Sequence, residues 1–124
     1  MNNIDIDIVF TYVNGNDENH IKKKNKYAKE KTFIKKHNPL IRTNNIEEIT
    51  YSVKSVLKYI PWIRNIFIVT DNQIPPIDEK LIKKKKVIII DHKEIIDNKY
   101  LPTFNSDVIE SFLYMIIFLI YIYE

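Results

Sequence analysis

The chain is 124 residues long, carries a formal net charge of +3 and contains no cysteine. This length suits a single small domain, and a hydrophobic content of 45% excludes a wholly disordered chain. The lack of cysteine excludes a disulfide framework and any zinc or iron–sulfur centre held by thiolates. The near balance of 19 basic and 16 acidic residues argues against a protein that binds nucleic acid.

The first predicted element is a buried strand over residues 6–13, which are mostly β-branched or aromatic. Residues 14–17 follow with the composition of a turn. Within this turn, Gly15 is expected to adopt a positive φ or to let a ligand approach the backbone closely. The polar, lysine-rich residues 19–36 then predict an exposed helix that ends before Pro39.

Helical spacing of apolar residues between positions 46 and 60 predicts a second helix, which ends at Pro61. Two further buried strands are predicted over residues 66–70 and 86–91, with a short helix between them. Ser106 is the expected cap of a last helix that runs to about residue 115. Strands that alternate with helices in this way predict an α/β layered domain with a mostly parallel sheet.

Polar clusters follow all three predicted strands, and ligands of parallel sheets bind outside the carboxyl ends of strands. After the first strand, Tyr12 and Asn14 are candidates to contact a nucleotide base. After the second, residues 70–73 are candidates to bind a sugar hydroxyl or a metal-bound phosphate. After the third, His92 is a candidate general base or phosphate partner. Ordinary turns and a structural histidine are the open alternatives.

Asp107 and Glu110 lie three residues apart on one face of the last predicted helix and offer oxygen ligands to a divalent cation. A solvated helix surface is the alternative for this pair. The sequence contains no Walker glycine loop, dinucleotide fingerprint, Gly-x-Ser-x-Gly elbow or His-Glu-x-x-His motif. Those absences exclude the commonest motif-bearing nucleotide-binding and hydrolase classes.

Two groups of segments resemble the Stealth family. Residues 6–17 resemble its first conserved region, and a set of segments between residues 42 and 111 resembles its second region in the same order. The resemblance implies a Rossmann-like core. It also implies transfer of a sugar-1-phosphate from a nucleotide sugar, such as a UDP-N-acetylhexosamine, to a sugar hydroxyl in cell-surface or capsular polysaccharide synthesis. Mg²⁺ or Mn²⁺ is the cofactor implied for the complete enzyme.

The same resemblance implies roles for individual residues. His92 is the implied base, Arg42 contacts a phosphate, and Asp71 completes the predicted catalytic set. The residues implied to bind substrate are Asp7, Tyr12, Asn14, Gly15, Asn72, Gln73 and Glu110. The metal ligands are left unassigned.

The sequence also departs from the family pattern. Asn45, Ile46 and Thr50 stand where relatives carry Asp, Asn and Arg, which removes groups that would serve donor or metal binding. The apolar residues 112–124 stand where relatives continue with a polar helix, Pro-Gly-Leu and Asn-Asp-Asp. We therefore expect one partial Stealth domain over residues 1–124, incomplete at its C-terminal end.

Several expectations follow for the chain as a molecule. Its apolar tail is expected to favour self-association and to lower solubility, but at about a dozen residues it is too short to span a bilayer, which needs about 20. No signal peptide is visible, which favours a cytoplasmic or membrane-peripheral location. A non-catalytic remnant or binding module and a conventional glycosyltransferase are the alternative functions.

Overall fold

A three-stranded, all-parallel sheet forms the centre of the fold. The computed structural model describes residues 4–30 and 47–123 of the chain. The sheet order is β1 (Ile8–Thr11), β2 (Ile66–Thr70) and β3 (Val87–Asp91), so β2 is the central strand. This sheet, with helices on both sides, confirms the predicted α/β class.

The helices occupy the connections between the strands and the region after β3. They are α1 (Glu18–Glu30), α2 (Glu48–Tyr59), α3 (Glu79–Lys83), α4 (His92–Ile95), α5 (Ser106–Ser111) and α6 (Ile116–Tyr123), with 3₁₀ turns at Asn98–Tyr100 and Leu113–Met115. The last predicted helix is therefore divided in two. Its expected cap was wrong: Asn105 is the capping residue, and its side chain accepts a hydrogen bond of 2.9 Å from the Asp107 N–H.

Two apolar layers enclose β2, whose five residues are all buried. Ile66 and Ile68 pack in the cluster that contains Val53 and Val56 of α2. Phe67 and Val69 belong to the cluster on the opposite face, which receives side chains from β3, α4, α5 and α6. A strand covered on both faces is typical of parallel sheets, and it explains why β2 reads as an unbroken apolar run.

The apolar tail contributes to one of these layers and also leaves part of its surface in solvent. Ile116, the first residue of α6, is only 3% exposed and lies in the cluster around Phe67. Ile117 and Phe118 are more than half exposed. Within the part of the chain that the structure describes, no helix is both long enough and apolar enough to cross a bilayer.

Candidate functional site

The turns that follow the three strands are tied together at the carboxyl edge of the sheet. The Gln73 side chain accepts a hydrogen bond from the Asn14 N–H at 2.7 Å and donates one to the Asn14 carbonyl at 3.1 Å. On the other side, the Asn72 N–H donates to Asp91 Oδ2 at 2.6 Å. Three of the predicted polar positions, together with Asp91 at the end of β3, are thereby brought to one edge, where they are joined to each other mainly through backbone groups.

We expect Gln73→Ala to lower the free energy of unfolding by about 1–2 kcal/mol, because two hydrogen bonds are lost and the Asn14 backbone groups lose their partner. Denaturant unfolding measures the change. Asn16→Ala is the matched control, since Asn16 is exposed in the same turn and its hydrogen bond comes from its backbone N–H. An equal loss in the two variants would contradict the proposed connection.

One of the two backbone roles expected of Gly15, a positive φ, was wrong, whereas the close approach of a ligand to its backbone stays a prediction. Gly15 lies in the turn after β1, but it does not have a positive φ. At this edge of the sheet the left-handed conformation belongs to Asn72, whose φ is 50°. Asparagine tolerates that region better than most residues because its short polar side chain can hydrogen-bond locally.

A histidine, a carboxylate and a lysine meet just beyond the end of β2. His20 Nδ1 lies 3.0 Å from Asp71 Oδ2, and Lys23 Nζ donates to Asp71 Oδ1 at 2.6 Å. The side chains of His20 and Asp71 are only 6% and 15% exposed. Helix α1 therefore supplies two functional groups to the candidate site, although its sequence predicted an exposed helix.

The charge of Asp71 determines which nitrogen of His20 carries a proton. Burial raises the pKa of the Asp71 carboxyl, but the hydrogen bonds from Lys23 and His20 outweigh it and hold the pKa below its ordinary value of 3.8. An ionised carboxylate only accepts hydrogen bonds, so the His20 ring donates through Nδ1. When the ring is neutral, the proton lies on Nδ1 and Nε2 is free to accept a proton. A general base requires this tautomer.

His92 lies beside this group as the first residue of α4. It is 3% exposed, and its Nε2 atom has no hydrogen-bond partner among the described residues. Burial lowers the pKa of His92 below 6.5, although the nearby charges of Asp71 and Asp91 oppose that shift. The ring is therefore neutral near pH 7 and presents an unsatisfied polar atom.

The shifted pKa of His92 predicts a stability change with pH. Because the folded protein holds His92 deprotonated, the unfolded chain binds more protons as the pH falls through 6.5, and the free energy of unfolding should decrease. His92→Gln should flatten that dependence between pH 6.5 and the lower range in which aspartates titrate. Thermal unfolding across this range measures it, and an unchanged slope in the variant would refute the assignment.

A pocket of about 410 Å³ opens over these groups. Asp71 and His92 lie in its wall together with three lysines, namely Lys23, Lys26 and Lys93. Since one carboxylate stands among three ammonium groups, the lining favours an anionic ligand. A phosphate-bearing molecule has the charge and the acceptor oxygens that such a wall can bind.

A second pocket, of about 620 Å³, lies against the end of β1. Its wall includes His20 and the half-buried Tyr12, whose burial raises the pKa of the phenol above its ordinary value of 10.0. The His20–Asp71 pair thus stands between two pockets, with Asp71 in the wall of the first and His20 in the wall of the second.

Two of the predicted site residues, Asp7 and Glu110, are not brought to this place. Asp7 precedes β1 and lies at the amino ends of the strands, opposite the candidate site. There it pairs with Arg64 and accepts a hydrogen bond from the Asn65 N–H. Glu110 is exposed on α5 and lines neither pocket. Arg42 lies outside the described residues.

His20 and Lys23 were missed because their helix was interpreted as solvated surface. A usable signal was present, since His20, Lys23 and Tyr27 are spaced i, i+3 and i+7 and share one face of a helix. That face packs on Phe104, whose ring centroid lies 5.4 Å from that of His20 and 5.6 Å from that of Tyr27. A histidine and an aromatic residue at helical spacing indicate a packed face even when lysines surround them.

The described residues do not fit the divalent cation that the family resemblance implies. No group of three or more His, Asp or Glu side chains in residues 4–30 and 47–123 is arranged to hold a metal ion. Asp71, the carboxylate in the wall of the 410 Å³ pocket, already pairs with Lys23 and His20. A cation there would have to displace the ammonium group of Lys23.

Comparison with known protein families decides the assignment. The profile of Stealth protein CR1, conserved region 1, matches residues 5–32, and that of Stealth protein CR2, conserved region 2, matches residues 42–123. The chain belongs to the Stealth family. The second match covers most of the chain and runs through the apolar residues after Ser111.

Several curated proteins are similar over nearly all of this chain. The capsular polysaccharide phosphotransferase fcs1 of Haemophilus influenzae is 50% identical over 116 residues, and cps1A of Actinobacillus pleuropneumoniae, with the same description, is 47% identical over 115. The exopolysaccharide phosphotransferase cps2G of Lactiplantibacillus plantarum is 39% identical over 106 residues. These matches cover 91%, 90% and 86% of this chain, but only 31%, 31% and 30% of the respective relatives.

Proposed function

We propose that this chain forms part of a hexose-1-phosphate transferase that acts in capsular polysaccharide synthesis. The reaction moves a sugar-1-phosphate from a nucleotide sugar, such as a UDP-N-acetylhexosamine, to a hydroxyl group of a glycan acceptor. The names of its relatives support phosphotransfer in the synthesis of extracellular polysaccharide. The donor, the acceptor and a cytoplasmic or membrane-peripheral site of action belong to the proposal.

The observation that carries this proposal is the His20–Asp71 pair beside a basic pocket. Transfer of a phosphoryl group between oxygens needs a base for the attacking hydroxyl and positive charge around the phosphate. His20, oriented by Asp71 at 3.0 Å, supplies the first. The lysines of the 410 Å³ pocket supply the second.

In the proposed reaction, the acceptor oxygen attacks the phosphorus atom next to the donor sugar. His20 Nε2 takes the proton of the hydroxyl while the new oxygen–phosphorus bond forms. The bond from that phosphorus to the nucleotide breaks, and a nucleoside monophosphate leaves with the electron pair. Asp71 fixes the ring of His20 and stabilises it once it becomes protonated, while Lys26 and Lys93 neutralise phosphate charge.

Of the two roles that the position of His92 after β3 predicted, general base or phosphate partner, this proposal gives it the second. His92 is one of the residues that line the basic pocket, its ring is neutral and buried, and its buried Nε2 has no hydrogen-bond partner among the described residues. We assign it to hold a phosphate oxygen, for which Nε2 must carry the ring proton and donate. His20, whose partner already fixes the tautomer, is the better general base.

A divalent cation remains part of the proposal for the whole protein. Mg²⁺ or Mn²⁺ would neutralise charge on the pyrophosphate of the donor. Since the described residues do not fit such an ion, its ligands are proposed to come from elsewhere in the protein. The roles given above to His20, Asp71 and the lysines do not depend on it.

A chimera tests the function without requiring this chain to act alone. In the chimera, the matched residues of this chain replace the corresponding 116-residue segment of the Haemophilus influenzae relative. The chimera is then supplied with a nucleotide sugar and a capsular acceptor. The expected products are a phosphodiester-linked glycan and a nucleoside monophosphate. Release of a nucleoside diphosphate would instead identify a glycosyltransferase, and donor binding without turnover would identify a binding module.

A further inference from the structure

The ends of two helices meet at the amino ends of the strands, opposite the candidate site. Helices α2 and α3 end shortly before β2 and β3 begin, so their last turns lie at this edge of the sheet. Val56 of α2 and Ile82 of α3 belong to the same apolar cluster, which places both helices on one face. The Lys86 ammonium group donates to the carbonyls of Ile63 and Arg64, the second at 3.2 Å. These bonds hold together the segments that follow the two helices.

This edge carries a surface of exposed lysine and aromatic side chains. They come from the last turns of α2 and α3 and from the segments that follow, and they are Lys58, Tyr59, Trp62, Lys83, Lys84 and Lys85. We call this set the amino-edge surface. Tyr59 and Trp62 are 68% and 67% exposed, and Lys58 Nζ lies 4.9 Å from the centroid of the Tyr59 ring.

The charges of α2 and α3 are separated along the helices. The acids Glu48, Asp78 and Glu79 stand at the starts of the helices, whereas the lysines of the amino-edge surface stand at their ends. At the same edge, Asp5 and Asp7 both pair with Arg64. Positive charge is therefore concentrated beside the exposed rings of Tyr59 and Trp62.

Lys85 occupies a position at which helices commonly place glycine. Helix α3 ends in a turn in which the Lys85 N–H donates to the Ile82 carbonyl and the Lys86 N–H donates to the Leu81 carbonyl, both at 3.0 Å. The φ of Lys85 is 57°, in the left-handed region where a Cβ atom is unfavourable. The turn thus gives up stability at a position that adds a charge to the amino-edge surface.

We propose that the amino-edge surface docks this protein on the headgroups of an anionic membrane. Each lysine close to such a membrane raises the affinity about fivefold, because its ammonium group is attracted by the negative surface potential. Trp and Tyr rings prefer the boundary between water and hydrocarbon. Two kinds of side chain that suit a membrane interface therefore lie together on one exposed surface. Docking there makes the proposed peripheral location specific, but it does not depend on the proposed reaction.

An acidic polysaccharide is the other partner that lysines and aromatic rings can bind. Such a chain would have to reach the candidate site, but the amino-edge surface contributes to neither of the two pockets and lies at the opposite edge of the sheet. A membrane needs no groove, since its headgroups contact whatever side chains project from an edge. These observations favour lipid over polysaccharide.

Docking through this edge would turn the candidate site away from the bilayer. Strands β2 and β3 have five residues each, and at about 3.3 Å per residue the two edges of the sheet are about 17 Å apart. The basic pocket would then face the aqueous side, from which a soluble nucleotide sugar reaches it.

Tryptophan fluorescence tests the docking directly, because Trp62 is the single tryptophan of the chain. Vesicles of phosphatidylcholine and phosphatidylglycerol in equal parts should shift its emission to shorter wavelength, and brominated acyl chains in them should quench it. Vesicles of phosphatidylcholine alone should have a much smaller effect. Salt at about 1 M, where the Debye length is about 3 Å, should weaken the response to anionic vesicles. Emission that anionic vesicles leave unchanged, or change no more than neutral ones do, would overturn the proposal.

A lysine variant of the chimera tests whether the surface also docks the whole protein. Lys85→Gly removes one charge and gives the left-handed position its preferred residue, so the partition coefficient onto anionic vesicles should fall about fivefold while the thermal midpoint does not fall. Lys22→Gln is the matched control, because Lys22 is exposed on α1 and lines neither pocket. Vesicle sedimentation measures both variants, and an equal effect of the two, or no binding by the chimera, would overturn the proposal.

Two further measurements separate the docking from its alternatives. An acidic capsular polymer that shifted the Trp62 emission more than anionic vesicles do would identify the surface as a polysaccharide site and overturn the assignment to lipid. Turnover of soluble substrates by the Lys85→Gly chimera should be unchanged, since Lys85 lies at the edge opposite the candidate site. A failure of docking and a failure of the proposed reaction are thereby measured apart.

Discussion

Replacement of His20 by asparagine in the chimera is expected to lower kcat by about 10²–10⁴-fold, the usual contribution of a positioned general base. Asparagine retains a nitrogen donor toward Asp71 but cannot accept a proton. Because Asp71 keeps its ion pair with Lys23, the fold should be retained and donor binding should change little. Initial rates of nucleoside monophosphate release and a separate measurement of donor affinity check both parts.

Two companion variants separate the base from its neighbours. His92→Asn should raise the KM for the donor with a smaller effect on kcat, since His92 is assigned to a phosphate oxygen. Asn19→Ala, at an exposed position on α1 next to His20, should leave both kcat and the KM for the donor unchanged. If His92→Asn abolished kcat and His20→Asn did not, the base would be His92, as the family resemblance implied.

Asp7→Ala is expected to lower the free energy of unfolding by about 3 kcal/mol and to leave donor affinity unchanged. Arg64 donates to both carboxylate oxygens of Asp7, at 3.1 and 2.7 Å, and the Asn65 N–H donates at 3.0 Å. The variant removes the shortest-distance acceptor of the guanidinium and the side-chain acceptor of this N–H, and loss of a charged partner costs more than loss of a neutral one. Chemical denaturation of the chimera measures the stability change.

The matched control is Asp5→Ala, because Asp5 also pairs with Arg64 but at 3.3 Å and with a side chain that is 66% exposed. An exposed pair of this kind contributes up to about 1 kcal/mol.

The pH dependence of stability gives a second signature of the Asp7 ion pair. The hydrogen bonds from Arg64 hold the pKa of Asp7 below 3.8 despite its partial burial, so its stabilising effect is present above pH 3.8 and is lost as the pH falls through the lower, folded value. Equal effects of the two variants, or a loss of donor binding in Asp7→Ala, would contradict a structural role.

The sequence predicted the sheet well in its interior and less well at its ends. Strand β2 begins and ends where the apolar run predicted, whereas β1 covers only Ile8–Thr11 of the predicted residues 6–13. Composition of a strand is a local property, whereas the limits of a strand depend on its pairing. Strand β1 begins at Ile8, opposite Ile66, where β2 also begins, but it ends at Thr11, opposite Val69, one residue before β2 ends.

The candidate site shows the same division. That the turns after the strands lie at one edge follows from a parallel sheet, and this grouping was available from the order of the elements. The order of the elements did not predict which groups contact each other there. Gln73, for example, uses both its amide oxygen and its amide nitrogen to bind the Asn14 backbone. A turn composition indicates polarity, but it does not indicate whether a polar group is already satisfied.

The sequence by itself determined the α/β class, the family and the edge of the sheet that carries the polar clusters, since these depend on apolar runs, their order and local motifs. Only the tertiary structure decided that His20 meets Asp71, across 51 positions, and that Asp7 meets Arg64 at the other edge, across 57. The physical reason is that such contacts depend on how α1 and the strand ends pack against the sheet. That packing is a sum over many distant contacts, so a local pattern can indicate which face of a helix is packed but not which residue that face meets.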